Sequence, residues 1–338
     1  LGTLDSVVVT AFRIQLKGQT IPASIAQISR KTLAQEVNGT LLPAFNLVAG
    51  VRMEQRSEGS YRLAIRGSSL RSPFGVRNVK VYWNDVPFSD PSGNTYLNII
   101  PFALIHGIDI IKGPVGAAYG LGTGGAVLLQ SNFATDSLPQ NMVSLSLRAG
   151  SFGYLGQDLR VTLQQKNIHQ TFFISNEKID GWRDQSGSTK KNITWLASLT
   201  KNKHTIKGMA LFTDLMYQTP GGLTLAQMQQ NPMWARQATA TLPSAVTQQT
   251  AVYNKTLLGS FHHNYQLTKN VDWQNFVVGT NTHFKNPFAS IENVHKEVIK
   301  YKRKDGLELS GTVYLPAGYD KTKKEKLPLL IWAYPAEY

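Results

Sequence analysis

The glycine-rich run Gly120-Leu121-Gly122-Thr123-Gly124-Gly125 is the part of the sequence whose residue types and spacing best suggest chemistry. It satisfies the pattern G-x-G-x-x-G, in which glycines let the backbone approach the pyrophosphate of a dinucleotide. Such a site needs a helix directly after the run and an acidic residue about 20 positions further on. Ala126 to Leu129 instead predicts a strand, and Asp136 comes too early. We therefore predict no cofactor and expect the glycines to permit positive φ and close packing of their domain against a neighbouring wall of strands.

Nucleophilic and metal-binding chemistry has little support elsewhere in the sequence. The chain has no cysteine and no Gly-x-Ser-x-Gly nucleophile elbow. His262 and His263 are adjacent, but neighbouring residues of a strand point to opposite faces, so the two cannot share a metal ion. We interpret His262 as a solvated residue on the polar, lumen-facing side of its strand, together with Ser260, if the strand belongs to a barrel. The sequence predicts neither a catalytic nor a metal site.

The composition is strongly basic. The chain has 35 Lys and Arg against 21 Asp and Glu, which gives a formal net charge of +14. Such an excess suits nucleic acid or an anionic membrane surface, and it equally fits an ordinary solvated surface with few acids. Because no zinc-finger spacing, RNP motif or basic heptad region is present, we predict no nucleic-acid partner.

Two features concern targeting and membranes. No apolar run reaches about 18 residues, so no transmembrane helix is expected. The chain opens with Leu1-Gly2-Thr3 and has no basic leader, which is typical of a mature chain or of a fragment.

Three segments with different patterns position these residues. Residues 1–135 mix short β-rich runs with short helical signals, which indicates an α+β domain. Within this domain, Pro22 to Leu33 is predicted to be helical, because proline suits the first turn of a helix. Residues 140–289 alternate apolar and polar positions, as in Val143-Ser144-Leu145-Ser146-Leu147. This alternation predicts about seven strands of roughly 9–12 residues, the length that crosses a bilayer at a tilt.

Two interpretations of the alternating segment stay open. Short connections such as Gly150 to Gly153 alternate with longer ones, of which Tyr217 to Thr250 is the longest, as in outer-membrane barrels. A soluble β-sandwich or barrel would show the same alternation. Strand length favours the membrane interpretation.

The pattern changes near residue 290. Asp305-Gly306 is a hairpin signal between two β-rich runs. Leu327 to Tyr334 is an almost continuous apolar run, typical of a strand buried on both faces. Such a strand has no place in a barrel with one polar face, so we expect residues 291–338 to form a separate segment.

Residues 5–131 resemble the plug domain of TonB-dependent outer-membrane receptors. Four motifs carry the resemblance in order: Leu4 to Ala11, Tyr61 to Gly67, Val81 to Pro87, and Ile111 to Gly125. The resemblance implies an α+β plug over residues 1–135 inside a barrel of roughly 22 strands. Residues 140–289 would then be the first strands of an incomplete antiparallel transmembrane β-barrel, with Thr219 to Thr224 resembling an early extracellular loop. The plug-motif residues are Arg66, Gly67, Lys112, Gly113, Pro114, Gly120, Gly122 and Gly125.

The same resemblance implies a function. It is energy-coupled uptake of a scarce solute, such as a siderophore or a vitamin, across the outer membrane of a Gram-negative bacterium. The implied partners are the TonB energy-coupling protein, a small-molecule or metal-chelate ligand, and outer-membrane lipid. Candidates for the contact with TonB are Asp5, Ser6, Val7 and Val8. Plug arginines of the family meet acidic residues on the inner barrel wall, and we expect this of Arg66.

Residues 291–338 resemble the opening strands of the prolyl-oligopeptidase catalytic domain, an α/β-hydrolase. The resemblance runs through Asp305-Gly306, Leu315 to Tyr319 and Leu327 to Pro335. It departs at Ala336, where the family continues with Gly-Gly-Pro after its tyrosine. The serine, acid and histidine of that family would lie beyond Tyr338, so an inactive, truncated serine peptidase is the alternative function. A soluble β-rich adhesion or polysaccharide-binding protein is a third, and the abrupt change of pattern suggests a chimeric or misassembled reading frame.

Overall fold

The computed structural model describes residues 8–11, 14–17, 23–34, 40–68, 76–89, 93–120, 122–131, 141–269, 271–284 and 295–315. The chain divides into two compact units, one over residues 1–284 and one over residues 285–338. Within the described ranges, no helix combines the length and the apolar character needed to cross a membrane.

The first unit is built mainly from strands. Its strands are β1 (Val8–Ala11), β2 (Ile14–Lys17), β3 (Ser24–Ile28), β4 (Val51–Ser57), β5 (Ser60–Ile65), β6 (Val79–Trp83), β7 (Val86–Pro87), β8 (Gly107–Lys112), β9 (Gly125–Gln130), β10 (Asn141–Gly150), β11 (Tyr154–Gln165), β12 (Ile168–Ile179), β13 (Ser188–Lys201), β14 (His204–Gln218), β15 (Ala251–Thr268) and β16 (Val271–Phe284). Its short helices are α1 (Arg30–Ala34), α2 (Leu42–Asn46), α3 (Gly116–Tyr119), α4 (Leu225–Gln230) and α5 (Ala245–Gln248).

The domain that precedes β10, called the plug below, is organised around a five-stranded mixed sheet. The strand order is β3-β8-β9-β6-β7, with β6 and β9 parallel and the other pairs antiparallel. Ile110, Val127 and Val81 are completely buried at its centre, as expected of strands covered on both faces. The indole nitrogen of Trp83 donates to Ser131 Oγ at 2.7 Å, which satisfies a buried polar group. A mixed sheet with short helices makes this an α+β domain, as the sequence predicts.

The helix expected over Pro22 to Leu33 is wrong in its first half. Ser24–Ile28 forms the edge strand β3, whose Ile25 lies opposite Ile111 of β8. The helix starts later, at Arg30. Isoleucine has a β-branched side chain that favours strands, and pairing with β8 satisfies the backbone groups. Tertiary pairing therefore outweighs the local signal from the proline.

Strands β10 to β16 form a seven-stranded sheet in which each strand pairs antiparallel with the next one in sequence. They are 10 to 18 residues long, so most are longer than predicted. One face, called the outward face, exposes large apolar side chains: Val143, Leu145, Leu147, Leu159, Ile174, Ile193, Phe212, Leu257 and Val277. The opposite face, called the inner wall, carries buried polar residues and lies against the plug: Asp158, Thr162, Ser175, Asn192, Thr213 and Thr256.

The connections differ in length at the two ends of this sheet. At the short-turn end, two-residue turns such as Asn202-Lys203 join the strands. At the long-loop end the connections are residues 151–153, 180–187 and 219–250, so the short connection after Gly150 lies on the same side as the long ones. The longer loop is ordered by a capping box at Thr224, which starts α4. Arg183 joins the two loops by donating to the carbonyl oxygens of Trp234 at 2.8 Å and Gly221 at 3.1 Å.

The second unit contains one hairpin in its described part. Strands β17 (His295–Lys302) and β18 (Glu308–Leu315) pair antiparallel. Gly306 has a φ of +89° in the connecting turn, a left-handed conformation that glycine adopts without strain, so the hairpin signal is confirmed. Leu327 to Tyr334, predicted to be a buried strand, lies outside the described residues.

Candidate functional site on the plug and the inner wall

The Ile-Arg-Gly motif and the closing motif of the plug lie side by side. Arg66 directly follows β5 with a φ of 51°, and its backbone N–H donates to the Gly50 carbonyl at 2.8 Å. A Cβ placed on Gly113 would lie 3.8 Å from Arg66 Nη1. Lys112 Nζ donates to the carbonyl of Ala49 at 2.7 Å. The fold therefore brings Arg66, Lys112 and Gly113 together from distant parts of the sequence.

The last two glycines of the motif, Gly124 and Gly125, pack so closely against the backbone that no side chain fits, and we call this contact the glycine seam. The backbone N–H of Gly124 donates to the Asn78 carbonyl at 2.9 Å, and the Asn78 amide donates to the Ser68 carbonyl at 2.6 Å. Gly125 has a φ of +132°, and a Cβ on it would lie 2.1 Å from the carbonyl oxygen of Ile111. Glycine is thus required at position 125 both by conformation and by space. The expectation that Gly124 and Gly125 pack against the barrel wall is wrong, because their close neighbours are residues of the plug itself.

The rest of the glycine run is not a dinucleotide site. Gly120 has a φ of +78°, and a Cβ on Gly122 would lie 3.1 Å from Lys80 Cγ. Strand β9 follows the run, as predicted, where a dinucleotide fingerprint needs a helix. Among the other motif residues, Gly67 has a φ of +76° with open space around it, and Pro114 is exposed ahead of α3.

Two expectations about contact partners remain predictions. Among the ion pairs of the described residues, none joins Arg66 to an acidic side chain of the inner wall. Of the candidates for contact with TonB, Asp5, Ser6 and Val7 lie outside the described residues. Val8 is the first residue of β1, which pairs with β2.

Three wall residues fix one turn of the plug, and we call this contact the wall latch (Arg160, Lys190 and Thr213). Thr213 Oγ1 donates to the carbonyl of Ile99 at 3.0 Å, and Lys190 Nζ donates to the carbonyl of Ile100 at 2.7 Å. The Arg160 guanidinium donates to the carbonyl of Ala103. Two of these donors are charged, which makes the hydrogen bonds stronger than neutral ones.

Lys190 also holds the side chain of the same turn. Its Nζ lies 5.2 Å from the centroid of the Phe102 ring, within the range of a cation–π interaction. Sequence reasoning missed the wall latch. Alternation places these residues on the polar face, but it gives no sign of which backbone groups they meet.

An ion cluster lies on the inner wall beside the latch. Arg148 Nη2 is 2.8 Å from Asp158 Oδ2 and 3.2 Å from Glu177 Oε1. These three residues and His106 of the plug line a cavity of about 230 Å³ between plug and wall. Shared ion pairs of this kind compensate the desolvation of the charges rather than adding much stability.

His106 is expected to stay neutral well below neutral pH. Burial, together with the charges of Arg30 and Arg160, lowers the pKa of His106 to about 4. We expect its C2 proton to titrate near that value in NMR spectra of the full chain in detergent, with His106→Gln identifying the signal. A titration near the ordinary value of 6.5 would contradict the buried placement.

The sign of the linked stability change follows from this pKa. The folded pKa lies below the unfolded one, so the unfolded state binds the proton more readily. Stability is therefore unaffected above about pH 6.5, falls as the pH drops toward 4, and levels off below that value. Because His106 is only half-buried, we expect a loss of about 1 kcal/mol rather than the full linkage value. His106→Gln should remove this part of the pH dependence.

A larger cavity of about 520 Å³ opens at the long-loop end, between the β4–β5 hairpin and the wall. Glu58 and Tyr61 line it from the plug, and Tyr154 and Lys190 line it from the wall. Burial raises the pKa of Glu58 and that of Tyr61 above their ordinary values. The Tyr61 ring meets Phe102 edge-on, with centroids 6.0 Å apart. The cavity is thus lined by aromatic faces, hydroxyl groups and charged groups.

The two adjacent histidines point to opposite faces, as predicted. His262 lines a cavity between inner wall and plug together with Ser260. His263 lies on the outward face, where its Nε2 is 3.0 Å from Nδ1 of His204. Sequence reasoning missed this second pair, because the register between β14 and β15 cannot be read from residue spacing.

The structure thus combines an α+β domain with a long-stranded antiparallel sheet whose polar face holds that domain. Residues 17–127 match the TonB-dependent Receptor Plug Domain. Residues 17–127 are therefore a plug domain of the TonB-dependent receptor type, and the antiparallel strands that follow resemble part of the barrel of such receptors.

Relatives and solved structures agree with this assignment. The vitamin B12 transporter BtuB of Vibrio vulnificus (strain CMCP6) is 29% identical over 252 residues, which cover 64% of this chain and 40% of that protein. The ferric citrate transporter FecA in its unliganded form superposes with a TM-score of 0.61 at 18% identity, over 78% of this chain and 40% of that one. The ferric yersiniabactin uptake receptor FyuA of Yersinia pestis gives 0.61 at 14% identity, over 78% and 41%. At such identities the structures show the fold alone.

A short stretch of the chain resembles a different protein. The probable chloroplastic glutamyl endopeptidase of Arabidopsis thaliana is 44% identical over 66 residues, which are 20% of this chain and 7% of that protein. The resemblance to the prolyl-oligopeptidase family is confirmed for this stretch. The chain thus spans two fifths of the receptors above and a small part of the peptidase.

Proposed function

We propose that the chain is the plug and the first barrel strands of an outer-membrane receptor that takes up a scarce solute with energy from TonB. The solute class would be a siderophore, a vitamin or a similar compound, and the host a Gram-negative bacterium. The wall latch carries the proposal, because Arg160, Lys190 and Thr213 hold the plug against the inner wall of the sheet. A plug held in this way closes a barrel until a partner moves it.

The outward face supports a membrane location and an incomplete transmembrane β-barrel. Large apolar side chains cover it, while the inner wall is polar, which is the pattern of strands that face lipid on one side only. A soluble sandwich would instead cover its apolar face with a second sheet. The adhesion alternative is disfavoured for this reason.

The cavity at the long-loop end is the proposed solute site. It is lined from the plug by the β4–β5 hairpin, so a bound solute would touch the part that must move. The loops above it are joined through Arg183, which gives the cavity an ordered rim. Pre-ordered loops lower the entropy cost of binding.

TonB would bind the segment ahead of the plug, with Asp5, Ser6, Val7 and Val8 as the contact residues. Among the described residues, strand β1, which starts at Val8, pairs with β2 alone, and a partner would add a strand at its other edge. Addition of a strand uses backbone N–H groups, and proline removes one of them.

The proposal is tested by binding of the periplasmic domain of TonB to the full chain in detergent micelles. We expect Val7→Pro to weaken binding at least tenfold, because it removes a backbone donor within the contact segment. Thr3→Pro, which lies outside that segment, is the matched control. Equal affinity of the Val7→Pro and Thr3→Pro variants would contradict the contact assignment, and no binding by the unaltered chain would contradict the receptor proposal.

Peptidase activity should be absent. The stretch that resembles a peptidase matches 7% of the length of that enzyme, and the chain contains no Gly-x-Ser-x-Gly elbow. A triad needs serine, histidine and acid within hydrogen-bond reach. We expect no turnover of glutamyl or prolyl chromogenic substrates and no serine labelling by a fluorophosphonate probe, with an active serine peptidase as the positive control. Labelling together with turnover would restore the peptidase alternative.

A further inference from the structure

The outward face changes character at the short-turn end, where a group of polar and aromatic side chains replaces the apolar ones. His204 lies opposite Lys201 on one side and opposite Tyr265 on the other. Trp273 lies opposite Tyr265 on the next strand. We call Lys201, His204, His263, Tyr265 and Trp273 the interface cluster.

The interface cluster sits directly beside the apolar part of the same face. On this face, the next pair of residues along β13 and β14 is Leu199 and Ile206, and the pair after it is Ala197 and Gly208. Tyrosine and tryptophan are enriched where a membrane meets water, because one end of each side chain is apolar and the other is polar. This is the level at which lipid phosphates lie.

The two histidines are arranged to present donors. Their rings are nearly parallel, at 10°, with centroids 5.3 Å apart and facing nitrogens 3.0 Å apart. The rings therefore lie side by side and share one N–H···N hydrogen bond. This hydrogen bond uses one nitrogen of each ring, so His204 Nε2 and His263 Nδ1 remain for other partners, and one of these two nitrogens carries a hydrogen that it can donate. The Tyr265 ring stacks on His204 with centroids 4.6 Å apart, which fixes the ring orientation.

Two lysines add positive charge at the cluster. Lys201 is exposed, and Lys203 in the adjacent turn donates to the carbonyl of Leu267 at 3.3 Å. Among the described residues, neither lysine forms an ion pair with a carboxylate. At the long-loop end of the same face the situation is reversed, because Lys255 Nζ is 3.4 Å from Asp214 Oδ2. A cationic, donor-rich group next to an apolar face matches an anionic headgroup attached to acyl chains.

We propose that the interface cluster binds the phosphate of an anionic phospholipid in the membrane leaflet at the short-turn end. Lys201 and Lys203 supply charge, the histidine pair donates to phosphate oxygens, and Trp273 packs against the acyl chains. This inference rests on the membrane location proposed above. A bound lipid of this kind would fix the depth of strands β13 to β16 in the bilayer.

The test uses the full chain in micelles of an uncharged maltoside detergent that contain phosphatidylglycerol, with lipid retention measured by native mass spectrometry. We expect the unaltered chain to retain one phosphatidylglycerol. Lys201→Gln should weaken retention about fivefold, the effect of one lysine at an anionic lipid surface. The triple variant Lys201→Gln/His204→Gln/His263→Gln should lose it altogether. Lys255→Gln, on the same face at the other end, should retain lipid like the unaltered chain.

Several outcomes would overturn the inference. Equal retention by the unaltered chain and by the Lys201→Gln variant would do so, and this single exposed change keeps the test valid if the triple variant fails to fold. Equal retention of diacylglycerol, which lacks the phosphate, would show that only apolar contacts are made. Zinc bound one-to-one by the unaltered chain with no effect of the histidine changes on lipid would assign the pair to a metal. A chain that needs detergent but fails these tests loses only the lipid site, whereas a chain that is monodisperse without detergent loses the membrane proposal.

Discussion

Gly125→Ala is expected to destabilise the plug by about 3–5 kcal/mol, the sum of a strained left-handed backbone and an overpacked contact. The added Cβ would lie 2.1 Å from the carbonyl oxygen of Ile111, at a residue whose φ is +132°. That oxygen belongs to the central strand β8, so relief requires the β8–β9 pairing to open. A loss of this size is a large part of the stability of an ordinary domain.

Substitutions at two other glycines distinguish the effect of backbone strain from the effect of overpacking. Gly67→Ala introduces an unfavourable backbone conformation at φ +76° but meets no atom within 4 Å, so it should cost about 1 kcal/mol. Gly116→Ala lies in α3 with open space around it and should be neutral or slightly stabilising. Amide hydrogen exchange of β8 and β9 in the full chain measures the loss of stability in all three variants. Protection in Gly125→Ala equal to that in Gly116→Ala would contradict the close packing of the glycine seam.

Removal of detergent should cause the full chain to aggregate. The outward face exposes Val143 at 70%, Leu147 at 71% and Val277 at 70%, a large contiguous apolar surface for a protein in water. Within the described sheet, β10 and β16 each pair on one side, so each also presents an edge of unpaired backbone groups. Both features favour association between copies of the chain.

Sedimentation velocity with and without detergent measures the aggregation. One pair of variants tests whether the apolar outward face is the part that enters a membrane. Leu257→Arg, within the apolar part of the outward face, should weaken partition into phospholipid vesicles by about 2–4 kcal/mol. Leu267→Arg, on the same strand at the short-turn end, should cost about 0–1 kcal/mol, because charge is tolerated near the interface. A monodisperse monomer without detergent, or equal effects of the two arginines, would contradict the membrane-barrel proposal.

The sequence determined the elements whose signals are local. Alternation over residues 140–289 predicts the long strands β10 to β16, since each residue's face depends only on its position along the strand. The glycine run followed by Ala126 to Leu129 predicts strand β9 and excludes the dinucleotide interpretation, because both requirements lie within a few residues. Asp305-Gly306 predicts the hairpin of the second unit for the same reason.

Tertiary structure decided the features that depend on which strands meet. Ser24–Ile28 is a strand because β8 offers it a partner. Arg160, Lys190 and Thr213 donate to particular carbonyl groups of the plug because the plug packs against the inner wall in one position. His204 and His263 meet because of the register between β14 and β15. None of these contacts has a local signature, since the energy that selects each one comes from residues far apart in the chain.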